Sequence, residues 1–109
     1  MNEKYKEISV NTLKHYIDNK YNVCIIDVRE LFEIKIASIS EAIHIPMNEI
    51  PENLDKLKID DEIIVMCKSG VRSAKVCEFL YQNNYKNISN LVGGINAWSI
   101  EIDKNVKLY

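Results

Sequence analysis

At 109 residues, with 47% hydrophobic and 28% charged side chains, the chain has the size and make-up of one compact globular domain, not of a disordered tail or a membrane protein. A formal net charge of -2 excludes a global electrostatic pull toward nucleic acid or anionic lipid, so any anion site must be built locally. Three cysteines, Cys24, Cys67 and Cys77, form neither a disulfide-dense framework nor a close-spaced ligand set, and only His15 and His44 could assist a metal; free thiols are the simpler expectation.

Taken in chain order, residues 1–7 are polar and mixed in charge, with no apolar stretch that reads as a secretory signal, and no later run is apolar enough to span a bilayer. A cytoplasmic location is the expectation. Val10, Leu13, Tyr16 and Ile17 share one helical face, with Ser9 or Asn11 as the cap. Residues 23–26 form a short run of β-branched and small apolar residues that reads as a strand buried on both faces. A weaker strand signal covers residues 42–45 before Pro46, and residues 50–57 read as a short helix opened by Pro51.

Residues 63–67 repeat the buried-strand pattern and end on Cys67. After a turn, Val71, Ala74, Cys77, Leu80 and Tyr81 share a helical face, and residues 88–92 read as a further strand before Gly93 and Gly94. The two glycines permit a sharp turn into a last helix in which Trp98 packs, while residues 100–109 carry no clear assignment. No repeat or linker divides the chain, so residues 1–109 are read as a single domain. Such alternation predicts an α/β fold with a mainly parallel sheet and helices on both faces, whose sites form beyond the carboxyl ends of the strands. That rule points at Asp27 and Cys67.

The segment from Ile63 to Ser73 reads as a buried strand, a thiol, a tight turn at Gly70 and the start of a helix. First-turn N–H groups lack intrahelical partners and the macrodipole is positive there, so a thiolate placed over them is stabilised. Thiols in such settings ionise well below the ordinary value of about 8.5. Lys68 and Arg72 add positive charge on either side of Gly70, suited to holding an oxyanion while the thiolate attacks. A solvated surface charge is the alternative for Lys68, which its place next to the thiolate argues against, and the Arg72 fork can instead bind backbone or a carboxylate. Cys24 and Cys77 are read as core, and His15 and His44 as surface or core histidines not tied to Cys67.

The run Cys67-Lys68-Ser69-Gly70-Val71-Arg72-Ser73 resembles the active-site loop of rhodanese domains, in which a cysteine is followed by a glycine and an Arg-Ser pair. Cys24-Ile25-Ile26-Asp27-Val28-Arg29-Glu30 before it and Leu91-Val92-Gly93-Gly94-Ile95-Asn96-Ala97-Trp98 after it extend the resemblance over nearly the whole chain. The resemblance implies a five-stranded parallel sheet flanked by helices. It further implies a sulfurtransferase that moves sulfur from thiosulfate or a similar donor onto Cys67, then to cyanide, a thiol or a protein acceptor, with no cofactor and no metal. By the same resemblance Lys68, Ser69, Gly70, Val71, Arg72 and Ser73 form the cradle, and Asp27 and Arg29 order the site; a helix cap and a structural ion pair is the alternative for the last two.

Family members often carry Gly-His-Ile-x-Gly-Ala after the Asp-Val-Arg segment, where this chain has Ala37-Ser38-Ile39-Ser40-Glu41-Ala42. The turn before the third strand, and the pocket wall it forms, is therefore expected to differ. Four residues separate Cys67 from Arg72, one fewer than in the related cysteine phosphatases and arsenate reductases, which favours sulfur over phosphate chemistry. A persulfide carrier or docking module without catalysis is the alternative from another class.

Overall fold

A computed structural model of the chain describes residues 4–109; residues 1–3 of the polar N-terminal stretch lie outside it. Five strands, β1 (Lys6–Ile8), β2 (Val23–Asp27), β3 (Ile43–His44), β4 (Glu62–Met66) and β5 (Ile88–Leu91), form one sheet in the order β1-β5-β4-β2-β3. Every pairing in it is parallel, with Ile25 opposite Ile64 and Val65 opposite Asn90 at the centre. Among the described residues, α1 (Val10–Asp18), α2 (Leu31–Ile36) and α3 (Val71–Gln82) connect strands, and α4 (Gly94–Glu101) follows β5. The segments Met47–Glu49 and Pro51–Lys56 are 3-10 turns rather than the helix expected over residues 50–57.

Alternation along the strands splits the apolar residues into two cores, one per sheet face. Ile26, Val28, Ile63, Val65 and Cys67 face α3 and pack with Val76, Cys77 and Leu80. Ile25, Ile64 and Met66 face the other way and pack with Val10 and Leu13 of α1 and Ile95 and Trp98 of α4. Strands clad on both sides carry continuous apolar runs, which is why residues 23–26 and 63–67 stand out in the sequence. Fully burying each such side chain contributes about 1.5–3 kcal/mol.

Three readings need correction. β1, whose Lys6 and Ile8 pair with Ser89 and Leu91, begins within residues 1–7, a stretch with no strand expected from sequence; as a three-residue edge strand it has no apolar run to display. The inner face of α3 is Ser73, Val76, Cys77 and Leu80, whereas Val71 is 64% exposed; a buried serine interrupts the apolar stripe and shifts its apparent phase. Cys24 is only half-buried, at the rim of the α3-side core. Ser9, not Asn11, caps α1, its hydroxyl accepting the Thr12 N–H at 3.1 Å.

Glu41 and its neighbours close the glycine-free turn before β3 in ordinary backbone geometry. Ala42 N–H donates to Ile39 C=O at 3.0 Å, and the non-glycine residues with positive φ are Lys20 and Asn84, both elsewhere. Residues 102–109, unassigned from sequence, run back toward the carboxyl ends of the strands, and the Ser99 hydroxyl donates to Val106 C=O on the way. No helix among the described residues is long and apolar enough to cross a membrane.

Candidate active site

β4 ends at Met66, and Cys67 follows with 1% of its surface exposed. The chain then turns through Gly70, at φ +111°, into α3. An L-residue avoids that angle, so glycine is what lets the loop fold back over the thiol. The turn aims donors at sulfur: Gly70 N–H lies 3.1 Å and Ser73 N–H 3.4 Å from Cys67 Sγ, and Ser73 Oγ is 3.2 Å away. Burial pushes the Cys67 thiol up, but the Ser73 hydroxyl and the N–H groups of Ser73, Gly70 and Ser69 outweigh it and hold the thiol below its ordinary value. The other two thiols lack such a nest. Burial pushes Cys24 up, and drives Cys77 up to about 12.

A second tier of contacts holds the loop in shape. Asn90, on the neighbouring strand β5, donates through Nδ2 to Gly70 C=O at 3.1 Å and accepts at Oδ1 from the Ser73 hydroxyl at 2.5 Å. The Ser73 proton thus has two acceptors within reach, Asn90 Oδ1 and an ionised Sγ. From α4, Ile95 N–H donates to Cys67 C=O at 2.9 Å and Asn96 N–H to Lys68 C=O at 3.1 Å. Gly94 makes this approach possible: at φ +56° a Cβ there would strike Cys67 O and come within 2.6 Å of Lys68 O.

The charged residues are arranged differently from the expected open cradle. The Arg72 guanidinium is engaged by Glu33, Nη1 to Oε1 at 2.6 Å and Nη2 to Oε2 at 2.9 Å. Arg29 is completely buried and clamps Asp27, with Nε and Nη2 donating to the carboxylate and the shortest contact at 2.7 Å. The same guanidinium donates to Tyr109 Oη at 2.8 Å and Ala37 C=O at 2.8 Å. Tyr109 in turn donates to Glu33 Oε2 at 2.6 Å. The Lys68 ammonium stands 4.5 Å from the Tyr109 ring centroid, a cation–π geometry.

The structure therefore brings Cys67, Ser69, Gly70 and Ser73 together around sulfur, with Lys68 at the rim. The Val71 side chain points to solvent, and the Arg72 fork takes the carboxylate alternative. Asp27 and Arg29 form the buried structural ion pair, and His44, which donates from Nε2 to Arg29 C=O at 2.6 Å, braces the same corner. Sequence reasoning missed Glu33, Asn90 and Tyr109. A carboxylate three residues after Glu30 at a helix start, and an asparagine inside a buried strand, were readable signals for the first two. Nothing local marks Tyr109.

A family model described as "Rhodanese-like domain" matches residues 9–101. The chain belongs to the rhodanese-like family. This rhodanese-like chain is 41% identical over 96 residues to a "Putative sulfurtransferase YtwF" of Bacillus subtilis (strain 168), the match covering 88% of this chain and 92% of the relative. It is 33% identical to a "Sulfurtransferase" of Allochromatium vinosum, over 85% of this chain and 87% of that one. Among solved structures, a rhodanese-like domain protein from Staphylococcus aureus superposes with a TM-score of 0.81 at 35% identity, covering 95% of this chain and 98% of that one. A rhodanese-related protein from Thermoplasma volcanium gives 0.80 at 37% identity, over 90% and 94%. These relatives support sulfur transfer as the function of the rhodanese-like fold described above.

Proposed function

We propose that this rhodanese-like protein is a sulfurtransferase that carries sulfane sulfur as a persulfide on Cys67, taking it from thiosulfate or a similar donor and passing it to a thiophilic acceptor such as cyanide, a thiol or a protein. The observation that supports this best is the set of donors converging on Cys67 Sγ from Gly70 and Ser73. They favour a thiolate, and the same donors suit the outer sulfur of a persulfide, which is also an anion.

In the first half-reaction the Cys67 thiolate attacks the outer sulfur of the donor. A new S–S bond forms at Sγ as the donor's own bond to that sulfur breaks, and the leaving group, sulfite where thiosulfate is the donor, departs with the electron pair. In the second, the acceptor attacks the outer sulfur of the persulfide and the pair returns to Sγ. Ser69, Gly70 and Ser73 hold the negative charge in both resting forms, Lys68 adds positive charge at the rim, and Asp27 with Arg29 keeps the corner rigid. No step needs a metal or an organic cofactor.

Intact-protein mass spectrometry after incubation with thiosulfate or a polysulfide, with and without cyanide, tests this directly. One added sulfur, about 32 Da, is expected on the native chain, removed by cyanide and absent from Cys67→Ser, whose hydroxyl neither ionises nor forms a persulfide. An adduct retained in Cys67→Ser refutes the assignment of the carrier atom. No adduct from either donor turns the reading to a docking module, and turnover of an aryl phosphate turns it to phosphatase chemistry.

A further inference from the structure

Two cations flank the loop in the sequence, yet the structure leaves only one of them uncompensated. Arg72 is neutralised by Glu33 through two short bonds, and Glu33 is itself fixed by Tyr109 Oη at 2.6 Å and Glu30 N–H at 3.1 Å. Arg72 and the other donors, against the opposing effect of burial, hold the Glu33 carboxyl down at about 2, so the neutralising charge is present at any pH at which the protein works. Arg29 is spent on Asp27. Among the described residues no carboxylate forms an ion pair with Lys68, which lies over the Tyr109 ring and brings one positive charge to the mouth.

We infer that the preferred sulfur donor is a persulfide whose leaving group is a thiolate, and that the carboxylate of Glu33, pinned by Arg72 and Tyr109, acts as the specificity-determining group against compact dianions such as thiosulfate. This inference rests on the sulfur-transfer reading of Cys67. Thiosulfate brings two negative charges to a mouth with one free positive charge and a fixed carboxylate beside it, so one charge is desolvated without a partner. A persulfide R–S–SH needs one compensating charge at most: the Cys67 thiolate forms a bond to the outer sulfur, the R–S bond to that sulfur breaks, and R–S⁻ leaves with the pair toward Lys68. The proton stays on the transferred sulfur, one S–S bond replaces another, and no external oxidant or reductant enters.

The experiment compares kcat/KM for thiosulfate and for the persulfide of N-acetylcysteamine, which carries no charge besides its sulfur, each normalised to the same donor's reaction with a free thiol. Native protein is expected to favour the persulfide. Glu33→Gln, which frees the Arg72 charge, is expected to raise kcat/KM for thiosulfate about tenfold relative to the persulfide value, a change of the size one partly screened charge exerts on a nearby dianion, so the readout is the donor ratio. A normalised preference for thiosulfate in the native protein, or an unchanged donor ratio in Glu33→Gln, overturns the inference. Should circular dichroism show that variant unfolded, the native protein decides through ionic strength: with the Lys68 charge offset by the attacking Cys67 thiolate the mouth carries little net charge, so a thiosulfate rate nearly insensitive to salt upholds the inference, and a steep fall overturns it. Failure of both donors to label Cys67 refutes the sulfur-transfer reading itself, and is read from mass rather than from the donor ratio.

Discussion

Gly94→Ala tests how the last helix holds the active-site loop. The backbone at Gly94 has φ +56°, a conformation that costs an L-residue about 1 kcal/mol or somewhat more. Its new Cβ would strike Cys67 O and come within 2.6 Å of Lys68 O and 2.7 Å of Lys68 C, all backbone atoms that cannot swing aside as a side chain can. Relief requires α4 to back away, and that stretches the Ile95 N–H to Cys67 C=O and Asn96 N–H to Lys68 C=O bonds, worth about 1 kcal/mol each. The sum, about 3–4 kcal/mol, is a large share of the roughly 5–15 kcal/mol that stabilises a domain of this size. Urea unfolding should show a lowered midpoint at nearly constant slope, and the surviving folded fraction should lose its low-pH thiolate absorbance as the loop is displaced. Gly70→Ala makes the comparison: it meets nothing closer than 3.7 Å, so its cost is backbone strain alone, about 1–3 kcal/mol. A Gly94→Ala variant within about 1 kcal/mol of native stability, with Cys67 ionisation unchanged, would refute the close-approach argument.

Ser73→Ala removes one donor to Sγ, and a hydrogen bond to a charged group is worth about 1.5–3 kcal/mol, so the acid ionisation constant of the Cys67 thiol should fall about tenfold or more; ultraviolet titration of the thiolate reads it. Because the native thiol is held below its ordinary value, the donor-attack rate should persist as pH falls below the usual thiol range and drop on passing the lowered value, and in Ser73→Ala that drop should move to higher pH. Of the three thiols, Cys67 should ionise first and Cys77 last, near 12, so a Cys67→Ala variant should lose the earliest thiolate signal while Cys24→Ala keeps it. Glu33, ordinarily near 4.5, sits at about 2 in the fold, so the unfolded chain binds its proton first: the ion pair's stabilisation is complete above the ordinary value and is lost as pH falls from there toward about 2. At most about 3 kcal/mol is at stake, and acid unfolding of Glu33→Gln should be correspondingly less steep across that window.

The parts of this molecule that could be read from the sequence are those whose physics is local. Residues 23–26 and 63–67 announce central strands because both their faces are clad, and the cysteine, glycine and helix start that follow announce an anion nest because they are adjacent in the chain. β1 and the identity of the inner α3 face were less legible. The first is a three-residue edge held by its pairing to β5, and the second is set by Ser73 turning inward to Cys67 and Asn90. Of the charge network, the Asp27 and Arg29 pair and a carboxylate for Arg72 were open as alternatives, but the partners Glu33 and Tyr109 were illegible, since Arg72 and Glu33 lie 39 positions apart and Arg29 and Tyr109 lie 80 apart. Local patterning counts cations; only the fold says which of them are already neutralised.

That distinction bears on how a thiol with 1% exposure is held below its ordinary ionisation value. Burial alone disfavours the anion, and a pair of free arginines beside it would be an obvious remedy, yet here both arginines are committed to carboxylates. The remedy comes instead from backbone N–H groups and one hydroxyl, which are already aligned by the Gly70 turn and by Asn90's grip on Gly70 C=O. Ser73 completes it with a proton it can redirect. Over a neutral thiol the hydroxyl donates to Asn90 and can accept from S–H, and over a thiolate it can turn to Sγ with a small rotation about its C–O bond. Dipoles of this kind carry no net charge of their own, so they stabilise a thiolate and a persulfide anion alike without drawing in every anion in solution. In the proposed cycle Cys67 alternates between those two states, and such a nest serves it better than a fixed counter-ion, which would favour whichever state brought more charge to it.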